Sequence, residues 1–309
     1  MMTRRKLRTQ ILSAVRLMRS EFVNSPLFDP AGTSQLVSLS IIGEPIEERP
    51  IDRVMDVDTL VIVRDPMTDE KHAEVESVFE KVKAESETDH LSVSYELKDG
   101  PIKPGPAKDV NLFFHVLLHT VSSYQDSPLI LVKNSWQYEA RRLLGMEIGE
   151  LESIPGVTRS ELLEGKLGIR HSRDLLESRA SACLEWGGDS GDELKLEMRS
   201  IEFDESFELL ELCYYVVLRA ASNALRYVLD RTEGVGIGAD DMRLFSVLFE
   251  PMELSGMPFK YSLEKERLRD GEWYPKPREL KVRVEQAFEF LDNLEEFIAS
   301  HSRKHIIGA

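Results

Sequence analysis

The chain has 309 residues, 42 % of them hydrophobic, which is enough for two domains with a sizeable buried core. Acidic residues outnumber basic ones 55 to 39, for a formal net charge of -16. This balance disfavours a protein that binds long nucleic acid, because phosphate neutralisation by Lys and Arg dominates that affinity. Two cysteines cannot build a disulfide framework or a cysteine-type zinc site, and no signal peptide or membrane span is recognisable, so we expect a cytoplasmic protein.

The first half of the chain alternates between helix and strand patterns. Apolar residues at helical spacing predict helices near 7–22 and after Thr68 or Asp69. Apolar runs predict strands at 35–42, 54–63, 90–97 and 110–121. A further helix is predicted to begin at Asn134 or Ser135, to carry Arg141 and Arg142, and to end at Gly145.

The second half is predicted to be mostly helical. Thr158 and Glu161 have the spacing of a capping box, and alternating apolar and charged residues predict a hairpin near 192–204. The longest helical patterns lie at 207–229 and 278–301. We therefore predict a domain of mixed strands and helices at 1–150, followed by a mostly helical domain at 151–309.

Asp56 and Asp58 stand at the beginning of the predicted strand 54–63. Alternate side chains of a strand share a face, and their Cα atoms lie about 6.5–7 Å apart. Two carboxylates about 6 Å apart repel by roughly 2–3 kcal/mol at an effective dielectric of about 20. A divalent metal ion would explain why an otherwise apolar strand holds both, and the alternative is a solvated strand end.

The segment from Ile41 to Asp58 resembles the signature of the DNA polymerase β-type nucleotidyltransferase superfamily. That signature is an apolar strand, Gly followed by Gly or Ser, a short spacer, and Asp-x-Asp or Asp-x-Glu on the next strand. Here Gly43 is followed by Glu44, eleven residues and Asp56-Val57-Asp58. The resemblance covers about 35–145, and the helical half looks like the domain that follows in kanamycin nucleotidyltransferase and its relatives. It implies an α+β fold in which a mixed β-sheet with flanking helices precedes an α-helical bundle.

The resemblance also implies roles for individual residues. Asp56 and Asp58 would bind Mg²⁺ or Mn²⁺, and Gly43 would let backbone amides approach the triphosphate of an NTP. The superfamily has a third carboxylate on a neighbouring strand, for which Glu96 is the first candidate and Asp109 the second. Glu96 would complete the metal site and deprotonate the acceptor hydroxyl.

Three further features bear on this site. Glu44 replaces the family's Gly or Ser and would set a carboxylate beside the triphosphate. Lys98 flanks a Gly/Pro loop, where it either steers a triphosphate or is simply solvated. His115 and His119 share a face of the predicted strand 110–121, but no third ligand has zinc spacing, so we predict no zinc site there.

These observations predict a nucleotidyltransferase that moves an NMP from an NTP such as ATP to a hydroxyl group and releases pyrophosphate. The acidic chain favours a small-molecule or protein acceptor, with no membrane and no long nucleic acid as partner. A homodimer is left open. The alternative is a catalytically degenerate nucleotide-binding or protein-interaction module, antitoxin-like or regulatory, which Glu44 and the uncertain third carboxylate motivate.

Overall fold

The computed structural model describes eleven segments of the chain: 4–31, 33–43, 55–98, 112–126, 139–151, 157–165, 168–188, 193–202, 206–230, 237–269 and 276–307. The chain divides into two compact units. Unit 1 comprises Met1–Ser127, Trp136–Ile154 and Ala182–Ser200, and unit 2 comprises Pro128–Ser135, Pro155–Ser181 and Ile201–Ala309. The assignment of functions to domains at 1–150 and 151–309 stays a prediction.

Unit 1 is built on a mixed five-stranded sheet. Its strands are β1 (Leu36–Ile42), β2 (Met55–Val63), β3 (Val93–Glu96), β4 (Leu112–Thr120) and β5 (Ala140–Gly145). The strand order is β3-β4-β2-β1-β5, with β3, β4 and β2 mutually parallel and β1 antiparallel to both β2 and β5. The strands β1 and β4 are buried along their whole length, as expected for strands inside a covered sheet.

Two long helices, α1 (Arg4–Asn24) and α2 (Asp69–Ser86), cover one face of this sheet. The Thr68 side chain accepts a hydrogen bond from the Lys71 backbone N–H and so caps α2, as predicted. The apolar stripe of α2 is buried at Val75, Val78, Phe79 and Val82. The core beneath the helices contains Val57 and Val61 of β2, so Asp56 and Asp58 belong to the opposite face. A short helix α3 (Val121–Asp126) follows β4.

The predicted helix is wrong for residues 140–145, which form the edge strand β5. Its apolar pair at 143–144 fits a strand as well as a helix, and tertiary pairing with β1 decides between them. Gly145 ends this strand with a φ of 75°, and a Cβ there would lie 2.1 Å from the carbonyl oxygen of Val37. Arg141 and Arg142 therefore lie on an edge strand, and residues 134–138 lie outside the described residues.

A two-stranded hairpin of β6 (Ala180–Gly187) and β7 (Lys195–Glu202) follows later in the chain. The strand β7 lies where a hairpin is predicted, and its partner precedes the glycine-rich segment. Within unit 1, the Trp186 indole Nε1–H donates to the Leu118 carbonyl at 2.8 Å, and the Leu194 N–H donates to the Met67 carbonyl at 2.9 Å. These bonds attach the hairpin to β4 and to the segment before α2.

Unit 2 is helical in its described part, as predicted. Its helices are α4 (Arg159–Glu164), α5 (Ile169–Ser178), α6 (Ser206–Leu229), α7 (Ala239–Leu248), α8 (Met257–Arg269) and α9 (Pro277–Ile307). The predicted capping box of Thr158 and Glu161 begins α4. The helix α6 is the most deeply buried, with every residue from Leu212 to Leu218 inside the bundle. No helix in the described part of the chain is long and apolar enough to span a membrane.

Candidate functional site

Asp56 and Asp58 lie on β2, on the sheet face that α1 and α2 leave uncovered. Both side chains are half-buried, and 37 % of the Asp58 side chain is exposed. The rest of the strand, from Leu60 to Val63, is completely buried. One strand therefore begins with two half-buried carboxylates and ends inside the apolar core.

Gly43 lies at the same end of the sheet as the two aspartates. In the antiparallel pair of β1 and β2, Ile41 is opposite Thr59, so the register continues to place Gly43 level with Val57. Gly43 has a φ of 90°, a left-handed conformation that favours glycine, and its N–H donates to the Glu139 carbonyl at 3.1 Å. The structure thus brings the glycine and the aspartates of the sequence motif together, while Glu44 lies outside the described residues.

His115 is a residue of this site that the sequence analysis did not assign to it. The parallel register of β2 and β4 sets His115 beside Asp58, and its Nδ1 lies 3.0 Å from Asp58 Oδ1. Only 5 % of the His115 side chain is exposed. From the sequence, His115 was considered only as a zinc ligand together with His119. The ring of His119 contacts the Ser123 hydroxyl at 3.4 Å rather than Asp58. The feature of the sequence that could have indicated a role is an imidazole within a largely apolar predicted strand.

Glu96 lies in the same row of the sheet but on the far side of His115. His115 is the register partner of both Asp58 and Glu96, which sets Glu96 two strands from Asp58, roughly 9.5 Å between their backbones. The Glu96 carboxylate is 2.9 Å from Lys98 Nζ. The structure therefore groups Glu96 with Lys98 rather than directly with the aspartates, and the role of Glu96 as a third carboxylate stays a prediction. Asp109 lies outside the described residues.

Lys98 lies between two carboxylates. Its Nζ is 3.0 Å from Glu185 of the hairpin as well as 2.9 Å from Glu96. Hydrogen bonds to Glu96 and then to Glu185 raise the pKa of Lys98, so its ammonium stays charged. Arg199 approaches the other oxygen of Glu185 at 3.3 Å. This alternating row of charges joins the segment after the edge strand β3 to the hairpin. The role of Lys98 at a triphosphate stays a prediction.

A cavity of about 400 Å³ opens between α2, β3 and the hairpin, next to Glu96 and Lys98. The Tyr95 hydroxyl donates to Glu80 at 2.6 Å on one wall, and burial together with this bond raises the pKa of Tyr95. Asp56 and Asp58 are not among the residues that line this cavity. The aspartate pair and the cavity are therefore separate features of unit 1.

The aspartate pair has the donor chemistry of a magnesium site. Mg²⁺ is commonly held by one or two protein carboxylates together with the phosphates of a substrate, and Asp56 and Asp58 share a face. Within the segments that the structure describes, no group of three or more His, Cys, Asp or Glu side chains is arranged to hold a metal ion. A divalent ion here would take its remaining ligands from a bound substrate and water.

No protein-family model and no curated protein matches this chain. Among solved structures, the chain is similar to the crystal structure of spectinomycin adenyltransferase AAD(9) from Enterococcus faecialis with ATP and spectinomycin. The TM-score is 0.49 and the sequence identity 12 %, over 92 % of this chain and 98 % of that chain. The case for a function therefore lies in the residues of this chain.

Proposed function

We propose that this chain is a Mg²⁺-dependent nucleotidyltransferase that moves an NMP from an NTP such as ATP to a hydroxyl group and releases pyrophosphate. The observation that carries the proposal is the pair Asp56 and Asp58 on the face of β2 opposite α1 and α2, level with Gly43 at the end of the neighbouring strand. Two half-buried carboxylates and a left-handed glycine at one end of a sheet suit a metal ion and a phosphate chain. The net charge of -16 favours a small-molecule or protein acceptor over a polynucleotide.

Each residue has a separate task in this reaction. Asp56 and Asp58 hold the divalent ion, which when bound offsets the phosphate charge and aligns the groups for in-line displacement. Gly43 has no side chain to obstruct the approach of a phosphate to the backbone. The acceptor oxygen forms a bond to the α-phosphorus while the bond to the pyrophosphate oxygen breaks. Glu96, whose carboxylate lies 2.9 Å from Lys98 Nζ, is proposed as the base that takes the hydroxyl proton.

A binding measurement tests the metal and nucleotide part of this proposal. Each NTP is added to the protein with and without Mg²⁺, and thermal unfolding is followed for the wild type and for Asp58→Asn. A ligand at 100 times its dissociation constant adds about 2.7 kcal/mol of stability, which is readily detected. We expect an NTP shift that depends on Mg²⁺ and is lost in Asp58→Asn.

A transfer assay tests the reaction itself. Labelled NMP incorporation and pyrophosphate release are measured with polyhydroxylated cationic small molecules and with protein acceptors. Asp56→Asn and Asp58→Asn are expected to abolish transfer, whereas Asp89→Asn, a matched change in an exposed turn after α2, leaves it unchanged. Transfer that survives Asp58→Asn would contradict the proposal.

The second candidate is a nucleotide-binding or protein-interaction module without turnover, antitoxin-like or regulatory. Two contacts favour it: His115 is the residue beside Asp58 on the adjacent strand, and Glu96 is engaged by Lys98. This candidate predicts NTP binding without pyrophosphate release under any acceptor condition. The two assays together separate it from the enzyme.

A further inference from the structure

The contact between His115 and Asp58 is fixed by the sheet on both sides. The strands β2 and β4 are parallel neighbours in register over nine residues, from Met55 opposite Leu112 to Val63 opposite Thr120. His115 is nearly completely buried and lies 3.0 Å from Asp58 Oδ1 through Nδ1, while the Asp58 side chain keeps 37 % of its surface exposed. A buried rigid group thus contacts one oxygen of an accessible carboxylate.

The direction of this hydrogen bond follows from the chemistry of its partners. An ionised carboxylate can only accept hydrogen bonds, so Nδ1 of His115 carries the proton and donates it. The bond restrains the orientation of the Asp58 carboxylate plane at Oδ1, on the face that Asp58 shares with Asp56.

We propose that His115 is a positioning residue that holds the Asp58 carboxylate in the orientation needed to bind a divalent metal ion. This inference rests on the proposed function, because it assigns Asp58 to a metal site. A carboxylate that binds a metal is itself commonly hydrogen-bonded by an outer partner, and loss of such a partner typically lowers metal affinity about 10-fold to 100-fold. His115 does not touch the ion in this arrangement and acts through Asp58.

His119 provides an internal comparison on the same strand and the same face. Like His115 it is buried, but it contacts the Ser123 hydroxyl at 3.4 Å and the ring of Tyr124, whose centroid is 5.9 Å away. Substitution of His119 therefore removes a buried imidazole of the same strand without removing the donor to Asp58. It is the matched control for a general effect on packing in β4.

The test compares three substitutions at His115 that differ in the position of a donor. In Asn the amide nitrogen is bonded to Cγ, as Nδ1 is in His, so His115→Asn retains a donor at the correct distance from the backbone. In His115→Gln the amide lies one bond further out, and His115→Leu has no donor. The dissociation constant of Mn²⁺ is measured from the electron paramagnetic resonance signal of the free ion, with the thermal midpoint of each variant recorded beside it.

We expect His115→Leu and His115→Gln to weaken Mn²⁺ binding about tenfold or more, and His115→Asn and the control His119→Gln to bind Mn²⁺ as the wild type does. If the leucine variant does not fold, the comparison of asparagine with glutamine decides, since both are polar amides. Unchanged affinity in the leucine and glutamine variants would overturn the inference and leave the nucleotidyltransferase proposal standing. So would an equal loss in His119→Gln, which would indicate a packing effect.

A separate outcome bears on the proposed function itself. If the wild type binds no Mn²⁺, or if Asp58→Asn binds it as tightly as the wild type, Asp58 is not a metal ligand. The metal site and the inference about His115 then fail together. The Asp58→Asn measurement thus distinguishes a wrong metal site from a correct metal site that does not depend on His115.

Discussion

Two carboxylates of this chain, Glu264 in unit 2 and Asp58 in unit 1, have opposite surroundings. Both oxygens of Glu264 accept from Arg283, at 2.8 and 3.1 Å, and one also accepts from the Tyr214 hydroxyl at 3.0 Å. The Glu264 side chain is 13 % exposed and the Asp58 side chain 37 %, and Asp58 contacts His115 at Oδ1. An arginine contacts both oxygens of Glu264, whereas Asp58 contacts an imidazole nitrogen at Oδ1 and keeps more of its side chain exposed.

The physical difference lies in the donors. A guanidinium matches the two oxygens of a carboxylate and cancels its charge, so Glu264 and Arg283 tie α8 to α9 with little charge left over. An imidazole supplies one bond, and Asp56 on the same face adds a second negative charge.

Among the substitutions that compare the two carboxylates, Glu264→Gln is expected to change the free energy of unfolding most. The substitution keeps the shape of the side chain but leaves the Arg283 charge in a site that is 13 % exposed, so we expect a loss of about 3 kcal/mol in the free energy of unfolding. Urea unfolding followed by circular dichroism measures it. The double variant Glu264→Leu/Arg283→Met is expected to recover most of the loss, since it removes both charges together. A change below about 1 kcal/mol in the single variant would contradict a structural role for this ion pair.

The buried environment near this ion pair also predicts a dependence on alkaline pH. Burial raises the pKa of the Cys213 thiol to about 12. The unfolded chain loses this proton near pH 8.5, so between about pH 8.5 and 12 the folded chain binds more protons and its stability falls as the pH rises. The contribution is at most about 1.4 kcal/mol per pH unit, or roughly 2 kcal/mol by pH 10.

The measurement is the free energy of unfolding between pH 8 and 10. Cys213→Ala is expected to flatten the alkaline decline, because it removes the titrating thiol. The variant is compared with the wild type by slope rather than by absolute stability, so a packing loss from the smaller side chain does not affect the result. Identical slopes would show that Cys213 does not contribute.

The comparison of the two carboxylates also shows what the sequence was able to predict. The shared face of Asp56 and Asp58 follows from alternation along one strand, which is a local property, and the structure places them so. The proximity of His115 to Asp58 depends on the sheet order, in which β4 lies between β2 and β3 although it follows both in the chain. Strand order is a tertiary property, and for that reason the histidine was not assigned to the site.

Tertiary contacts also explain the two other features that the sequence did not predict, the strand at 140–145 and the pairing of Lys98. Residues 140–145 carry a pattern that a helix or a strand can satisfy, and pairing with β1 makes them a strand. The pairing of Lys98 with Glu185 joins residues 87 positions apart in the chain, so no local spacing announces it. The helices α6 and α9 are predictable from the sequence, because the apolar residues that they bury recur at helical spacing within one continuous segment.

A smaller loss of stability is expected when the tyrosine that contacts Glu264 is changed. Tyr214→Phe removes the hydroxyl that donates to Glu264 but leaves both Arg283 bonds and the edge-to-face contact with Tyr261. We expect a loss of about 1 kcal/mol in the free energy of unfolding, well below that of Glu264→Gln. Urea unfolding of both variants under the same conditions checks the order. If Tyr214→Phe costs as much as Glu264→Gln, the tyrosine rather than the arginine dominates the site.

The smallest effect is expected for Asp58→Asn, the same carboxylate-to-amide change in the site of unit 1. Asparagine retains an oxygen that can accept from His115, and the substitution removes the repulsion between residues 56 and 58. We therefore expect the free energy of unfolding to be unchanged or to rise by up to about 1 kcal/mol, measured by the same urea titration. A loss comparable to that of Glu264→Gln would mean that Asp58 serves folding. A neutral or positive change, together with loss of Mg²⁺-dependent NTP binding, would mean that the chain keeps this carboxylate for a ligand at no benefit to its own stability.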